Sequence, residues 1–481
     1  MSAPDILSLN MSPGDRQPAK GNPPREPGSP AEPLIEVSRL LVRQWILLAA
    51  ATIAALPAPV IRLLEITNVY DPHINVTVEA LVFGLGIFSA ATLLTWASEV
   101  AETEVSAGLA LVVLALIAVL PEYAVDLYFA IEAPHAVECV SLNPDLPVGC
   151  EDPHPSHLAI ANMTGGNRLL VGLAWPAIFF IFYFRTKLAT MPVQKGNALG
   201  IIFLGAATAY SFSIPIRGHL SLIDTAVMFG LFGAYLFISA RTPPEAEREF
   251  VGPAAAIGAL NRNTRRWTVL GIFVYAAAVI FAAAEPFAEG LVHTGKDVGI
   301  DEFLLVQWVA PLASESPEFI LAGMLAMRGR HDAGMTILIS SKVNQWTLLI
   351  GSLPLAYSIS GGTVTEPLDF DTRQSDEVFL TAGQSLFAVA ILVSLSMGRL
   401  EAIALAGLFA TQFIFTDGTI RVGYGVMYCF LAFLIFLRDI PHFPPFFRAA
   451  KASWTHPGGL EAPEGNAPSK DTRPPDRTGP P

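Results

Sequence analysis

Residues 306–354 read VQWVAPLASESPEFILAGMLAMRGRHDAGMTILISSKVNQWTLLIGSLP, two long apolar segments joined by a short basic turn. The first segment carries Glu315 and Glu318 near its middle, and the second carries Lys342 and Gln345. Ionisable side chains in the middle of membrane-length helices are costly, so they are candidates for function by default. Because Glu315 and Glu318 are three residues apart, they share one face of a helix. The stretch therefore predicts a membrane hairpin that holds a buried polar site.

Pro317 stands between these two glutamates and has no N–H group to donate. A proline inside a helix removes a hydrogen bond, so we expect it to break or kink the helix and to free backbone carbonyls beside Glu318. Carboxylates next to free carbonyls, faced by amides, are hard oxygen ligands of the kind that Na⁺ and Ca²⁺ prefer. The pattern thus indicates a cation site.

A related pair of segments lies earlier in the chain, at about 105–130 and 158–184. Leu-Pro-Glu-Tyr at 120–123 corresponds to Ser-Pro-Glu-Phe at 316–319, and the run from Asn167 resembles the run from Gln345. Paired interrupted helices at matching places in two halves are the best sequence sign of a transporter's midplane site.

Composition points to a polytopic membrane protein. Of 481 residues, 52% are hydrophobic and 15% are charged, whereas soluble domains carry about 25% charge. No basic patch with interleaved aromatics is present, so a nucleic acid is not an expected partner. Three cysteines exclude a Cys-rich metal site. The lipid bilayer is the expected environment.

About twelve segments have the length and hydropathy needed to cross a bilayer. Lys and Arg alternate between the connecting loops so that both termini are predicted to be cytosolic. The third and eighth spans then cross in opposite directions, which makes the two repeats inverted. The spans lie near 40–65, 74–97, 105–130, 158–184, 197–215, 221–240, 267–292, 302–327, 334–358, 378–398, 402–417 and 421–438.

The predicted organisation is two membrane halves between polar tails. A Pro-rich disordered cytosolic tail is expected at each end. In the outer loop, Cys139 and Cys150 could form a disulfide or remain two free thiols. The compact loops and Ala/Pro-rich composition favour a bacterial inner membrane. The ranges are 1–37 for the first tail, 38–240 for the first half with its repeat at 105–184, 241–266 for a cytosolic linker, 267–440 for the second half with its repeat at 302–358, and 441–481 for the second tail.

The two Pro-Glu pairs, each late in an apolar helix and followed by a helix with a mid-span amide, carry a family resemblance. With the run from Ala284 to Glu318, they resemble the sodium/calcium exchanger membrane family of the calcium/cation antiporter superfamily, over roughly 75–440. The resemblance implies an all-α fold of two inverted repeats with broken helices at the midplane.

The resemblance also implies ligands for the transported ions. Glu122 and Glu318 match the family's two ion-binding glutamates. Asn167 and Gln345 match its amide or acid ligand, although a register shifted by three places Leu170 there. Ser314 and Ser341 match its hydroxyls. The chain departs from the family pattern at five positions: Val119 and Glu315 replace hydroxyls, Gln345 is neutral where the family often has Asp, and Arg168 and Lys342 bring cations near the site.

The remaining charges leave alternatives open. Asp126 lies one turn after Glu122 and could be a third ligand, a partner for Arg168 or a charge at the outer mouth. Glu315 is either an added ligand or the ion-pair partner of Lys342. One alternative is that Lys342 and Arg168 form structural salt bridges, since buried charges are paired. The other is that they take part in coupling the exchange of cations and protons. A buried lysine that releases its proton could exchange places with a bound cation.

The function expected is secondary active antiport by alternating access, exchanging Na⁺ or Ca²⁺ against H⁺ or against each other, with no cofactor. One alternative is a substituted relative that has lost transport and acts as a sensor or assembly protein. A less favoured alternative is an intramembrane enzyme. The chain has no HExxH motif and few histidines at membrane depth, so we expect it not to be an enzyme.

Overall fold

The computed structural model describes residues 31–67, 75–101, 120–136, 154–241, 250, 252–363, 366–413 and 418–455. The two loop cysteines, Val119 and the first part of the third predicted span lie outside these residues. Contacts divide the chain into a unit up to Arg43 and a unit from Gln44 onward.

The first half is a series of helices with two short strands. Their bounds are α1 Ala31–Ala55, α2 Pro57–Ile66, α3 Val76–Ala101, α4 Leu120–Glu132, α5 Pro155–Leu169, α6 Trp175–Thr186, β1 Thr190–Pro192, α7 Ala198–Ser211, α8 Ser213–Arg217, β2 His219–Leu220 and α9 Leu222–Ser239.

The second half follows after the short helix α10 and repeats the same plan. Its elements are α10 Pro253–Gly258, α11 Arg262–Val298, α12 Glu302–Met327, α13 His331–Asn344, α14 Ile350–Gly361, β3 Leu368–Asp369, α15 Thr372–Leu392, β4 Ser396–Gly398, α16 Arg399–Thr411, α17 Gly418–Arg438 and α18 Phe443–Thr455. Strand β1 pairs antiparallel with β4, and β2 with β3, which joins loops of the two halves.

Each of the twelve predicted spans overlaps a described helix. Among the described residues, eight helical segments are long and apolar enough to cross a membrane. They are Val42–Ile66, Val76–Ala101, Pro155–Thr186, Lys195–Arg217, Leu222–Ser239, Arg262–Val298, Thr372–Leu392 and Gly418–Arg438.

Both predicted disordered tails are wrong where they adjoin the membrane region, because helices are present there. Helix α1 already begins at Ala31, and α18 occupies part of the second tail. In α18, Phe446 and Ala450 are buried, so the segment has an apolar face that packs on α7. Its two prolines stand in the first turn, where a missing N–H costs no hydrogen bond.

Helix α12 continues through Pro317, so the helix does not break at this proline, and the alternative of a kink stays a prediction. Pro317 leaves the Ala313 carbonyl without its usual helical donor. Near it, Ser314 donates to the Pro311 oxygen and Ser316 donates to the Leu312 oxygen. The polar groups of α12 are therefore carried on one continuous helix.

The interruptions instead lie in the second helix of each repeat. A five-residue π-helical turn, Leu170–Ala174, joins α5 to α6, and an equivalent turn, Gln345–Leu349, joins α13 to α14. The helices that follow are both 12 residues long. When the two turns are aligned, Leu170 corresponds to Gln345, and Asn167 therefore corresponds to Lys342. The structure therefore favours the register shifted by three residues.

The two repeats meet where α5 crosses α12. A Cβ atom at Gly165 would lie 1.8 Å from the backbone oxygen of Gln307, so only glycine fits at this crossing. A Cβ atom at the next residue, Gly166, would have its nearest neighbour 3.5 Å away, on Pro311.

This contrast gives a stability prediction. Gly165→Ala should force α5 and α12 apart and lower the free energy of unfolding by about 1–3 kcal/mol or more, the usual cost of overpacking. Thermal unfolding of the detergent-purified protein would measure it. Gly166→Ala is the matched control and should unfold within about 1 kcal/mol of the wild type. Equal stability of the two variants would contradict the close approach of these helices.

Candidate cation site

A small cavity lies between the two repeats, enclosed by α4, α5, α12 and the second π-helical turn. Its volume is about 10 Å³, about the space that one water needs. The side chains that matter chemically are Glu122, Asp126, Asn162, Ser314, Glu315 and Gln345. The site is therefore built from both repeats, and its carboxylate and amide side chains are buried.

Five oxygens of these side chains are buried and have no hydrogen-bond partner among the described residues. They are Glu122 Oε2, Asp126 Oδ2, Asn162 Oδ1, Glu315 Oε2 and Gln345 Oε1. Buried polar atoms in proteins are normally paired. Five unpaired oxygens at one cavity, three of them from carboxylates, indicate a place for positive charge. Cations such as Ca²⁺ take six to eight oxygens of this type.

Two amide side chains are oriented by the carboxylates they contact. Asn162 Nδ2 donates to Asp126 Oδ1 at 2.9 Å, and Gln345 Nε2 donates to Glu315 Oε1. Because each amide nitrogen is bound to a carboxylate, each amide oxygen remains unpaired. The sequence analysis missed Asn162, although an asparagine inside an apolar span was a signal that could have found it.

Three predicted ligands lie beside the cavity instead of lining it. Glu318 is partly exposed, and its hydrogen-bonding neighbour is Ser341. Asn167 donates to the Met163 backbone oxygen at 2.8 Å and binds Lys342 through its own oxygens. Among the described residues, no three His, Cys, Asp or Glu side chains stand in ready-made metal-binding geometry, so a cation at the cavity would draw its carboxylates closer together.

Lys342 is fully buried and is held by the other repeat. Its Nζ lies 2.7 Å from Asn167 Oδ1, 3.2 Å from the Asn167 backbone oxygen and 4.5 Å from the centre of the Trp346 ring. Among the described residues, no ion pair at contact distance joins Lys342 to Glu315, although their opposite charges attract each other at longer range. The lysine leaves the cavity carboxylates without a salt-bridge partner.

Arg168 points to a different cluster. Its Nη2 lies 2.6 Å from Glu377 Oε2, and Arg421 Nη1 lies 2.8 Å from Glu377 Oε1. The alternative that paired Asp126 with Arg168 is therefore wrong. Sequence analysis missed Glu377 and Arg421 because they lie on α15 and α17, outside the repeats. The only sign of these two residues in the sequence was that each is a charged residue near the end of an apolar helix.

The charges near the cavity are unbalanced. Glu122, Asp126, Glu315 and Glu318 bring four carboxylates, and Lys342 brings one amine. Burying carboxylates this close together is costly unless protons or cations neutralise them. The arrangement can therefore bind a cation, take up protons, or alternate between the two.

Comparisons with known proteins agree with this geometry. The sequence profile described as "Sodium/calcium exchanger protein" matches residues 75–241 and 268–437. The crystal structure of the H⁺/Ca²⁺ exchanger CAX is 41% identical, with a TM-score of 0.75, and the match covers 86% of this chain and 98% of that chain. A comparison with curated proteins gave no match.

One more distant structure, native YfkE, shares the fold. Native YfkE is 17% identical with a TM-score of 0.53, over 80% of this chain and 99% of that chain. The sodium-calcium exchanger NCX_Mj is 18% identical with a TM-score of 0.46, over 70% of this chain and 98% of that chain. The predicted fold class is confirmed: a polytopic all-α membrane protein of about twelve transmembrane helices with two inverted repeats.

Proposed function

Because the chain belongs to the sodium/calcium exchanger protein family, we propose that it exchanges Ca²⁺ for protons across a membrane. The single observation that carries this proposal is the small buried cavity with three carboxylates and five unpaired oxygens. One divalent ion and two protons carry the same positive charge, so either cargo can offset two of these three carboxylates and the two can replace each other in turn. The H⁺/Ca²⁺ exchange named for CAX supports this choice.

The direct ligands we propose are Glu122, Asp126, Glu315, Asn162 and Gln345. Ser314 lies within reach of Glu122, while Glu318 and Ser341 form a second polar pair beside the cavity. Glu315 stands where the family pattern has a hydroxyl, which could serve as a neutral ligand to Na⁺. A carboxylate at this position can take up a proton instead, and this favours proton coupling over sodium coupling.

Alternating access is supported by contacts at the ends of the repeat helices. Where α4 and α14 end, Ser360 Oγ donates to the Ile131 backbone oxygen at 2.6 Å, and His135 Nε2 lies 2.9 Å from Ser360 Oγ. Where the equivalent helices α12 and α6 end, Arg185 donates to the Met327 backbone oxygen. We propose that these two contacts open in turn and expose the cavity to opposite sides of the membrane.

The predicted placement in a bacterial inner membrane, with both termini in the cytosol, is part of the same proposal. The alternation of Lys and Arg between the loops supports it through the positive-inside rule.

Flux into sealed proteoliposomes tests the exchange. With the membrane potential clamped, an external Ca²⁺ pulse should drive protons outward and make the interior more alkaline, as reported by an enclosed pH dye. A Na⁺ pulse without Ca²⁺ should give no such signal. Protein-free liposomes are the control for leakage. Sodium-dependent Ca²⁺ uptake without proton movement would replace this function with sodium/calcium exchange. No flux under any ion would instead support the non-transporting alternative.

A further inference from the structure

A second and larger cavity, of about 70 Å³, lies among α5, α12, α15, α16 and α17. Arg168, Arg421 and Glu377 line it, and Trp308 forms part of its apolar wall. One water needs only about 10–15 Å³ by this measure, so the space admits an ion of ordinary size. None of the cation-cavity carboxylates lines it. It is a separate chamber.

The charge around this chamber is unbalanced toward positive. Arg168 is 2% exposed, Arg421 is 6% exposed, and both guanidinium groups contact the single carboxylate of Glu377. Arginine stays protonated in proteins, so the described residues that line the chamber bring two positive charges and one negative charge. The neighbouring acid, Asp376, lies near enough to Arg421 for their charges to attract each other, but it is partly exposed, so water screens it, and it does not line the chamber. An uncompensated buried charge is strongly unfavourable without a counterion.

Arg168 also keeps an unused donor at the chamber. Its Nε is buried and has no hydrogen-bond partner among the described residues. Its Nη1 reaches Gln412 Oε1 only at 3.3 Å, and the guanidinium carbon lies 4.9 Å from the centre of the Trp308 ring. A buried guanidinium N–H without an acceptor is costly. An acceptor with negative charge would satisfy both this donor and the excess charge.

We propose that the chamber binds a small inorganic monoanion, chloride, between Arg168 and Arg421. The anion neutralises the second guanidinium and accepts from the free Arg168 donor. It thereby stabilises the packing of α5 against α15 and α17. This inference does not depend on which cations the other cavity transports.

Thermal unfolding of the full-length protein in detergent tests the proposal directly. Sodium chloride replaces sodium gluconate at constant ionic strength, because gluconate is too large for the chamber. The unfolding midpoint should rise with chloride and then saturate, by about 2 °C or more, as expected for a ligand that binds only the folded state. Sodium bromide should act like chloride. A midpoint that does not respond to either halide would overturn the proposal.

Two charge variants should shift the response in opposite directions. Arg421→Gln leaves Arg168 and Glu377 balanced and should remove the chloride response. Glu377→Gln raises the excess positive charge and should lower the chloride concentration for half effect at least about threefold. Arg373→Gln, which removes a partly exposed arginine paired with Asp301, is the control and should respond like the wild type. A full response in Arg421→Gln would contradict the assignment.

If these variants do not fold, wild-type crystals grown in bromide provide an independent test. An anomalous bromide peak between Arg168 and Arg421 is expected. A chamber that contains only water at high bromide concentration would overturn the proposal.

Discussion

Replacing Glu122 with glutamine should lower Ca²⁺-driven flux by about a hundredfold or more. The variant keeps the shape of the side chain but removes one of three carboxylates at the cavity. A carboxylate and a divalent ion at contact distance attract each other by several kcal/mol even at an effective dielectric constant of about 20. The measurement is initial Ca²⁺ uptake into proteoliposomes together with the enclosed pH signal.

Two matched variants make this result specific. Glu289→Gln changes an exposed glutamate on α11 whose Oε1 accepts from the Tyr128 hydroxyl at 2.9 Å. It should transport like the wild type, because an amide oxygen can accept the same bond. Glu318→Gln should cause a smaller loss than Glu122→Gln, since Glu318 lies beside the cavity. Wild-type flux in Glu122→Gln would place the cation site elsewhere. Equal losses in Glu122→Gln and Glu318→Gln would mean that repeat symmetry, and not this cavity, defines the site.

Replacing Lys342 with methionine should tighten Ca²⁺ binding about tenfold and slow its release. Methionine retains apolar contact with Trp346 but removes a positive charge near the carboxylates. At an effective dielectric constant of about 20, a unit charge and a divalent ion roughly 10 Å apart repel each other by about 3 kcal/mol, so a tenfold change in affinity, which corresponds to about 1.4 kcal/mol, is well within reach. Equilibrium binding of ⁴⁵Ca²⁺ and the turnover rate in proteoliposomes measure the two effects.

Lys342→Arg is the control for this prediction. It keeps the charge, and the two Asn167 oxygens still have a donor within reach. Its Ca²⁺ affinity should stay within about threefold of the wild type. If Lys342→Met abolished transport without changing Ca²⁺ affinity, the role of Lys342 would be structural, through its contact with the other repeat. If it stopped only the proton movement that accompanies Ca²⁺ uptake, the lysine itself would take part in the proton cycle.

The assignment of Arg168 changes how the site is balanced. Sequence analysis placed this arginine near the cation ligands, where it would offset one carboxylate. The structure pairs it with Glu377, on a helix outside the repeats. The four carboxylates beside Lys342 therefore lack this positive charge. The uncompensated negative charge at the site is therefore larger than the sequence predicted, which favours the binding of protons or a divalent ion.

Much of this protein could be predicted from its sequence alone. Hydropathy and helical periodicity are local properties, so each predicted span overlaps a helix among the described residues, and the all-α class followed from them. The two Pro-Glu pairs revealed the repeats and the family. Because residues three or four apart share a helix face, the sequence also placed Glu122 with Asp126 on one helix and Glu315 with Glu318 on another.

Only the tertiary structure decided which of these groups meet. It brought Asn162 to Asp126, Lys342 to Asn167 and Glu377 to Arg168. It also favoured the register of the first repeat in which Asn167 matches Lys342, through two equivalent π-helical turns. The physical reason is that each of these pairs joins different helices, up to about 200 residues apart in sequence. Such contacts depend on how helices cross and pack, and hydrophobic patterns within one helix do not encode that.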